Sequence, residues 1–255
     1  MVNAFRHELL KLRRRSMLLG AGGSMIAIAV LGVIITMTRA TSGRGDVTIA
    51  TLSQPDGFAA MFQQASPLIG IVALGIVAIA VAQDYSTGML RSMLVREPRR
   101  LRLLAGKLAA DLSFTVGWVA VALVVALGVG LAIGPSRGID TSQWLNAGLG
   151  TTFAQIGADT LVALGMGVFG AALALLLRNP APAVIAGIAW ALPVESLLGR
   201  IWSSLAQWLP VHQLDVIAAR GTTAALGTAF LLTGAFVAFA LVLSGIVFRR
   251  SDVTA

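Results

Sequence analysis

Long apolar runs alternate with short polar ones along this chain, and the runs lack the period of a half-buried soluble element. Six segments are predominantly apolar: Met17 to Met37, Ala65 to Ala82, Leu112 to Ile133, Phe153 to Leu177, Ala181 to Leu198 and Ala224 to Phe248. A helix rising about 1.5 Å per residue needs about 20 apolar residues to cross about 30 Å of hydrocarbon, and each segment is close to that length. None shows the two-residue alternation of a membrane strand, and Val119 to Val129 is apolar throughout, which excludes a β-barrel. The pattern predicts an all-α polytopic membrane protein with six transmembrane helices. Gly70 and Gly75 in the second run, and Gly165, Gly167 and Gly170 in the fourth, are the small residues through which helices in lipid approach one another.

The polar stretches carry weaker patterns. Val2, Phe5, Leu9 and Leu12 fall on one helical stripe, with Arg6, Lys11, Arg13 and Arg14 around the remainder. Residues 1–16 therefore read as an amphipathic interfacial helix, apolar stripe on lipid, bending near Ser16 into a single transmembrane domain over residues 17–255. It serves either as an anchor or as a frame for a pathway or partner. A basic stretch before an apolar one resembles a secretory signal, but the apolar run is too long and no A-x-A-like site follows, so the first span is read as uncleaved. In the polar outer loop from Thr38 to Gln64, between the first two spans, Gln54-Pro55-Asp56-Gly57 marks a turn before a short helix from Phe58 to Gln64. Near the other end, Pro193 should break the fifth span. Val194, Leu197, Leu198, Ile201, Leu205 and Trp208 then predict one or two short helices between Glu195 and Gly221, lying in or dipping back into the outer leaflet, with Trp202 and Trp208 as anchors.

Charge sharpens the topology. Only 12% of the 255 residues are charged, where a soluble domain carries about 25%. The six apolar runs hold just Asp159 and Glu195. With the N-terminus inside, Arg6, Lys11, Arg13 to Arg15, the six basic residues from Arg91 to Lys107, Arg178, Arg249 and Arg250 all face the cytoplasm; Arg39, Arg44, Arg137, Arg200 and Arg220 face outward. The positive-inside rule thus places both termini in the cytoplasm. The net charge of +8 is then mostly a topology signal facing anionic lipid, and no nucleic-acid partner is needed to explain it. Arginine far outnumbers lysine beside abundant alanine and glycine, a composition that points to a GC-rich bacterial genome, so the membrane read from the apolar runs is taken as a bacterial cell membrane. The chain has no cysteine, and His7 and His212 lack ligand spacing, so no metal site is expected. No nucleophile–base or paired-carboxylate arrangement suggests catalysis.

The most informative segment runs from Gln83 to Lys107. Met89, Leu90, Met93 and Leu94 form an apolar ridge on a short helix from about Thr87 to Val95. Pro98 stops it and opens the next helix, which continues past Lys107 into the third span. Charge alone reads this segment as a solvated loop whose arginines set topology. The pattern Asp84-x-x-x-Gly88, then Pro98-Arg99 and a downstream Gly-Lys ending at Lys107, resembles the cytoplasmic loop of the type-2 ABC exporter permeases. That family often has Glu in place of Asp84 and Gly-Thr in place of Gly88-Met89. The amphipathic N-terminal helix, six spans and broken segment before the last span are similar too.

The resemblance implies that Asp84, Gly88, Met89, Leu90, Met93, Pro98 and Arg99 belong to a coupling helix docked on a separate ATPase subunit. It makes the turn Arg178-Asn179-Pro180 a second, smaller contact; alone, that turn reads equally well as a plain connection between helices. ATP and Mg²⁺ would be bound by the partner. This chain has no Walker A loop, since its one Gly-Lys pair, Gly106-Lys107, is followed by Leu108. A second permease copy, identical or similar, is also implied. Candidates for the pathway or gate are Gln155 with Asp159, one helical turn apart, and Glu195 with Trp202. The reading is an exporter subunit for a hydrophobic or amphiphilic substrate. An ATP-independent transporter or channel, or an immunity-type or anchoring membrane protein, remains the alternative.

Overall fold

A computed structural model describes residues 2–43, 47–86, 88–89 and 100–250, the side chains of 2–4, 100, 249 and 250 aside. All regular structure among them is helical. In chain order, α1 (Val2–Leu12) precedes the first span α2 (Arg15–Thr41), and the short helices α3 (Ile49–Leu52) and α4 (Gly57–Gln63) follow. Then come α5 (Ser66–Ser86), α6 (Arg100–Ile133), α7 (Leu149–Leu177), α8 (Pro180–Ile201), the short α9 (Ser203–Ala206) and α10 (Pro210–Ala218), and finally α11 (Thr223–Arg250). Helices α2, α5, α6, α7, α8 and α11 are long and apolar enough to cross a bilayer. The protein is an all-α, multi-pass membrane protein. Six crossings bring α1 and the end of α11 to one face, the terminal face; α3, α4, α9 and α10 sit at the far face.

Helices α5 and α7 are the centre of the bundle. In their most apolar stretches 61% of residues are buried by protein, against 11% in α11. Lipid tails are as apolar as leucine, so helices in a bilayer associate through close packing rather than through water exclusion. Gly170 supplies that closeness: a Cβ there would lie 2.4 Å from the backbone oxygen of Leu74, so only glycine lets the two backbones meet. Gly70 and Gly167 pack similarly, against Val162 with Met166 and against Leu112 with Val77. Gly75 does not; nothing lies within 4 Å of the position its Cβ would take.

The far face is covered by a small cap built on Trp144. Its Nε1 donates to the Leu52 carbonyl (2.9 Å), and its ring packs 6.0 Å from that of Phe58. Thr48 and Thr51 cap α3 reciprocally, and α4 starts at Gly57, one residue before the predicted start. In the exposed loop below, Ser142 donates its N–H to Asp140 Oδ1 (2.9 Å), and that bonding holds the Asp140 carboxyl below its ordinary range.

Three sequence readings need correction. The N-terminal helix ends at Leu12 and the chain bends at Arg14, whose ψ of 141° is extended, two residues before Ser16. Its stripe faces protein: Leu12 is fully buried, Phe5 and Leu9 are half-buried and α1 packs against α6, whereas Leu10, off the stripe, is 67% exposed. Pro193 does not break the fifth span. The helix widens into a π-turn over Trp190–Val194, which accommodates the proline ring and its missing N–H, and α8 continues to Ile201. The break comes at Trp202 (φ −128°, ψ 84°).

The α5–α7 contact predicts opposite outcomes for two equivalent substitutions. Gly170→Ala should cost about 1–3 kcal/mol by forcing the helices apart. Gly75→Ala should be neutral or stabilising by up to about 1 kcal/mol, since alanine is the better helix former. Thermal unfolding of the purified variants in detergent distinguishes them; equal melting temperatures would deny the contact its organising role.

Candidate functional site

At the terminal face, four charged side chains from three helices form a buried ring. Glu8 comes from α1, as does Lys11; Asp84 lies in the last turn of α5 and Lys107 in the second turn of α6. Lys107 Nζ donates to Glu8 Oε1 (2.7 Å), Asp84 Oδ2 (2.5 Å) and the Ala80 carbonyl (3.0 Å). Lys11 Nζ donates to Glu8 Oε1 (3.1 Å), Asp84 Oδ1 (2.6 Å) and the same carbonyl (3.3 Å). Each ammonium has three protons and each meets three acceptors, which is what a desolvated lysine requires. Glu8 and Asp84 are each 2% exposed. An isolated 11-residue helix is marginal in water, so α1 takes its stability from this docking.

The position of the ring follows from helix length. α6 has 34 residues, about 51 Å of helix at 1.5 Å per residue, well beyond the about 30 Å of hydrocarbon. The excess carries Lys107 toward the headgroup zone, where ionised side chains are cheaper than at the bilayer centre. Around the ring pack Val81, Leu103, Leu104, Leu175 and Phe248, and the Tyr85 and Phe248 rings meet edge to face at 6.5 Å.

The ring clamps the base of the loop between α5 and α6. Asp84 points inward and has no exposed surface to offer a docking partner directly. Two residues after α5 ends, Gly88 adopts φ +67°, a left-handed conformation that closes the helix and that a side chain would strain. Met89 is half-buried. Leu90, Met93, Pro98 and Arg99, with the rest of the predicted coupling helix, lie outside the described residues. Arg178 is exposed and caps α7 at φ 53°, donating its N–H to Ala174 O (2.8 Å). Asn179 then caps α8 by accepting from the Ala181 N–H (3.2 Å), and Pro180 occupies the first helical turn.

Toward the far face, the fourth span begins at Leu149, which puts Asp159 ten residues inside it. Asp159 is fully buried, and Gln155 Nε2 donates to its Oδ1 (3.2 Å) and to the Ala218 carbonyl (3.1 Å). Ser66 and Arg220 lie beside the carboxylate, and Arg220 also donates to the Thr151 carbonyl (3.3 Å). The polar pair thus joins α7 to α10. Glu195 is 5% exposed and accepts from Trp190 Nε1 (3.0 Å) and the His212 N–H (2.7 Å), tying α8 to α10. Between them opens a cleft of ≈ 340 Å³ lined by Glu195, Ser196, Arg200, His212 and Asp215. Surrounding protein displaces water from Asp215 and pushes its carboxyl above the ordinary range, with nearby His212 pulling the other way. Trp202 is 53% exposed at the far face and makes no part of the cleft wall.

The sequence reading paired Gln155 with Asp159 but missed the partners of Glu195 and the whole ionic ring. One signal was available: Glu8 interrupts the apolar stripe between Phe5 and Leu12, and an acid on a stripe that is otherwise apolar needs a partner. No protein-family model and no curated protein matches the chain.

Lys107→Met should destabilise the protein by ~3–5 kcal/mol, because it leaves two buried carboxylates sharing one ammonium. Arg102→Ala, at an exposed site five residues earlier, should stay within about 0.5 kcal/mol of wild type. Trp190→Phe should cost about 1.5–3 kcal/mol by removing a donor from Glu195. Denaturant or thermal unfolding in detergent reads all three.

Proposed function

We propose that this protein is the transmembrane subunit of an ATP-driven exporter in a bacterial cell membrane, with both termini in the cytoplasm. One observation carries the reading: the loop with the Asp84, Gly88, Pro98-Arg99 and Lys107 pattern has its two ends locked together, Lys107 Nζ lying 2.5 Å from Asp84 Oδ2. A loop that only sets topology has no need of buried ion pairs at its base. A docking helix that must pass a push from a soluble subunit into α5 and α6 does, since force applied to a slack loop would not reach the spans.

In this mechanism a separate ATPase subunit, which binds ATP and Mg²⁺, meets the ridge of Met89, Leu90 and Met93, and the exposed Arg178 turn forms a second contact. Closure of paired ATPases tilts α5 and α6 of two permease copies. α5 is packed along α7 through Gly170, so the movement reaches the far-face groups Gln155, Asp159 and Glu195. The glycine-lined, sparsely charged interior suits a hydrophobic or amphiphilic substrate better than a sugar or an ion.

The test is recruitment and coupling. Leu90→Asp with Met93→Asp should abolish co-purification of the ATPase subunit and reduce transport at least tenfold while leaving membrane insertion intact. Export and ATP hydrolysis that survive replacement of residues 88–97 by a Gly-Ser linker would sink the proposal and leave an ATP-independent transporter or channel as the reading.

A further inference from the structure

The ionic ring has a fifth member that its hydrogen bonds do not satisfy. Asp111 lies one helical turn beyond Lys107 on α6, is 0% exposed, and neither carboxylate oxygen has a hydrogen-bond partner among the described residues. Its electrostatic neighbours are the four ring members, Lys107, Glu8, Lys11 and Asp84. Three carboxylates and two ammoniums therefore share one buried site. If every group were ionised the site would hold an uncompensated negative charge away from water, which is costly.

Among the described residues no other charged side chain compensates it. On α1, Arg6 and His7 are exposed and point away from the buried face that carries Glu8. On α2, Arg15 and Arg39 are exposed. α5 contributes Asp84 and the neighbouring Tyr85, and α11 contributes Phe248, beyond which the side chains of Arg249 and Arg250 are not described. On α7, Gly167 meets Leu112, and Asp159 sits eight residues, about 12 Å, farther toward the far face. A metal ion would have to displace two lysines already bonded three ways each, so the ligand that fits an orphaned carboxylate here is a proton.

We propose that Asp111 is a proton-binding site, that the docked N-terminal helix requires the proton, and that its loss releases α1 from α5 and α6. The neutral ring then consists of Glu8, Asp84, Lys11 and Lys107, with Asp111 as a carboxylic acid beside it. Deprotonation adds a negative charge next to Glu8 and Asp84, and α1, which brings Glu8, is the short element free to leave. Undocking is thereby linked to one proton, and because the ring clamps the loop between α5 and α6, alkaline pH on the terminal face loosens that loop. This inference does not depend on the exporter reading.

Two measurements on the full-length protein in lipid nanodiscs test it. Infrared difference spectra at neutral pH should show a protonated carboxyl stretch that Asp111→Asn removes. Glu8→Gln should remove it as well, because losing one ionised acid lets Asp111 ionise against the two lysines. The absence of cysteine allows a single label at Leu10→Cys, an exposed position on α1, to report docking. In the wild-type background the undocked population should rise with pH by up to tenfold per unit, the limit for one linked proton, and stay flat in Asp111→Asn. A carboxyl band unchanged by Asp111→Asn, no such band in wild type, or equal pH slopes in the two proteins would overturn the proposal. Should Asp111→Asn fail to fold, the Glu8→Gln spectrum decides: a retained band refutes the charge balance, and a lost band supports it.

Discussion

Helices already in lipid gain little by hiding apolar surface from water, so this bundle depends on how closely two backbones can approach. The approach is made at Gly170, where α7 lies against the carbonyl of Leu74 in α5. The other spans pack around that pair: α2 and α6 on one side, through Met25, Val33, Val119 and Leu123, and α8 and α10 on the other, through Ala191, Leu214 and Ile217. The last span is held mainly along one side and exposes Leu231, Phe239 and Val242, residues that lipid or a second chain can cover.

Glu8, Lys11, Asp84, Lys107, Gln155 and Glu195 each find a partner on a second helix, whereas the buried Asp111 carboxylate finds none among the described residues. The ring of Glu8, Lys11, Asp84 and Lys107 joins three elements at the terminal face; Gln155 and Asp159 join α7 to α10, and Glu195 joins α8 to α10 at the far face. Each group carries a desolvation cost that only a specific partner geometry offsets, so each fixes how two elements sit relative to each other. The far-face links all converge on α10, which makes that short helix the natural reporter of any movement passed along α5 and α7.

Much of the fold could be read locally. The bilayer requires every backbone group to be bonded within the spanning element, so an apolar run of sufficient length reads as a helix without reference to its neighbours. The six spans, the short α4 after the Pro55 turn and the broken segment between α8 and α11 were all legible on that basis. Pro193 was not: a proline alone predicts a break, and only the space around the chain decides whether a helix breaks or widens into a π-turn. The site was legible as a set of residue types but not as pairs. Asp84 carried the loop pattern, yet its burial against Lys11 and Lys107 has no signature in a 25-residue window.

The sequence by itself determined that the chain crosses a membrane six times and where its charges must lie, because insertion is decided segment by segment from length and hydropathy. The tertiary structure alone decided that Glu8, from a helix that looked like a lipid anchor, shares Lys107 with Asp84, and that Asp111 is left beside them without a partner. Glu8 is separated from Asp84 and from Lys107 by whole helices, and its ion pair with Lys107 exists only once packing has brought the helix ends to one depth on one face.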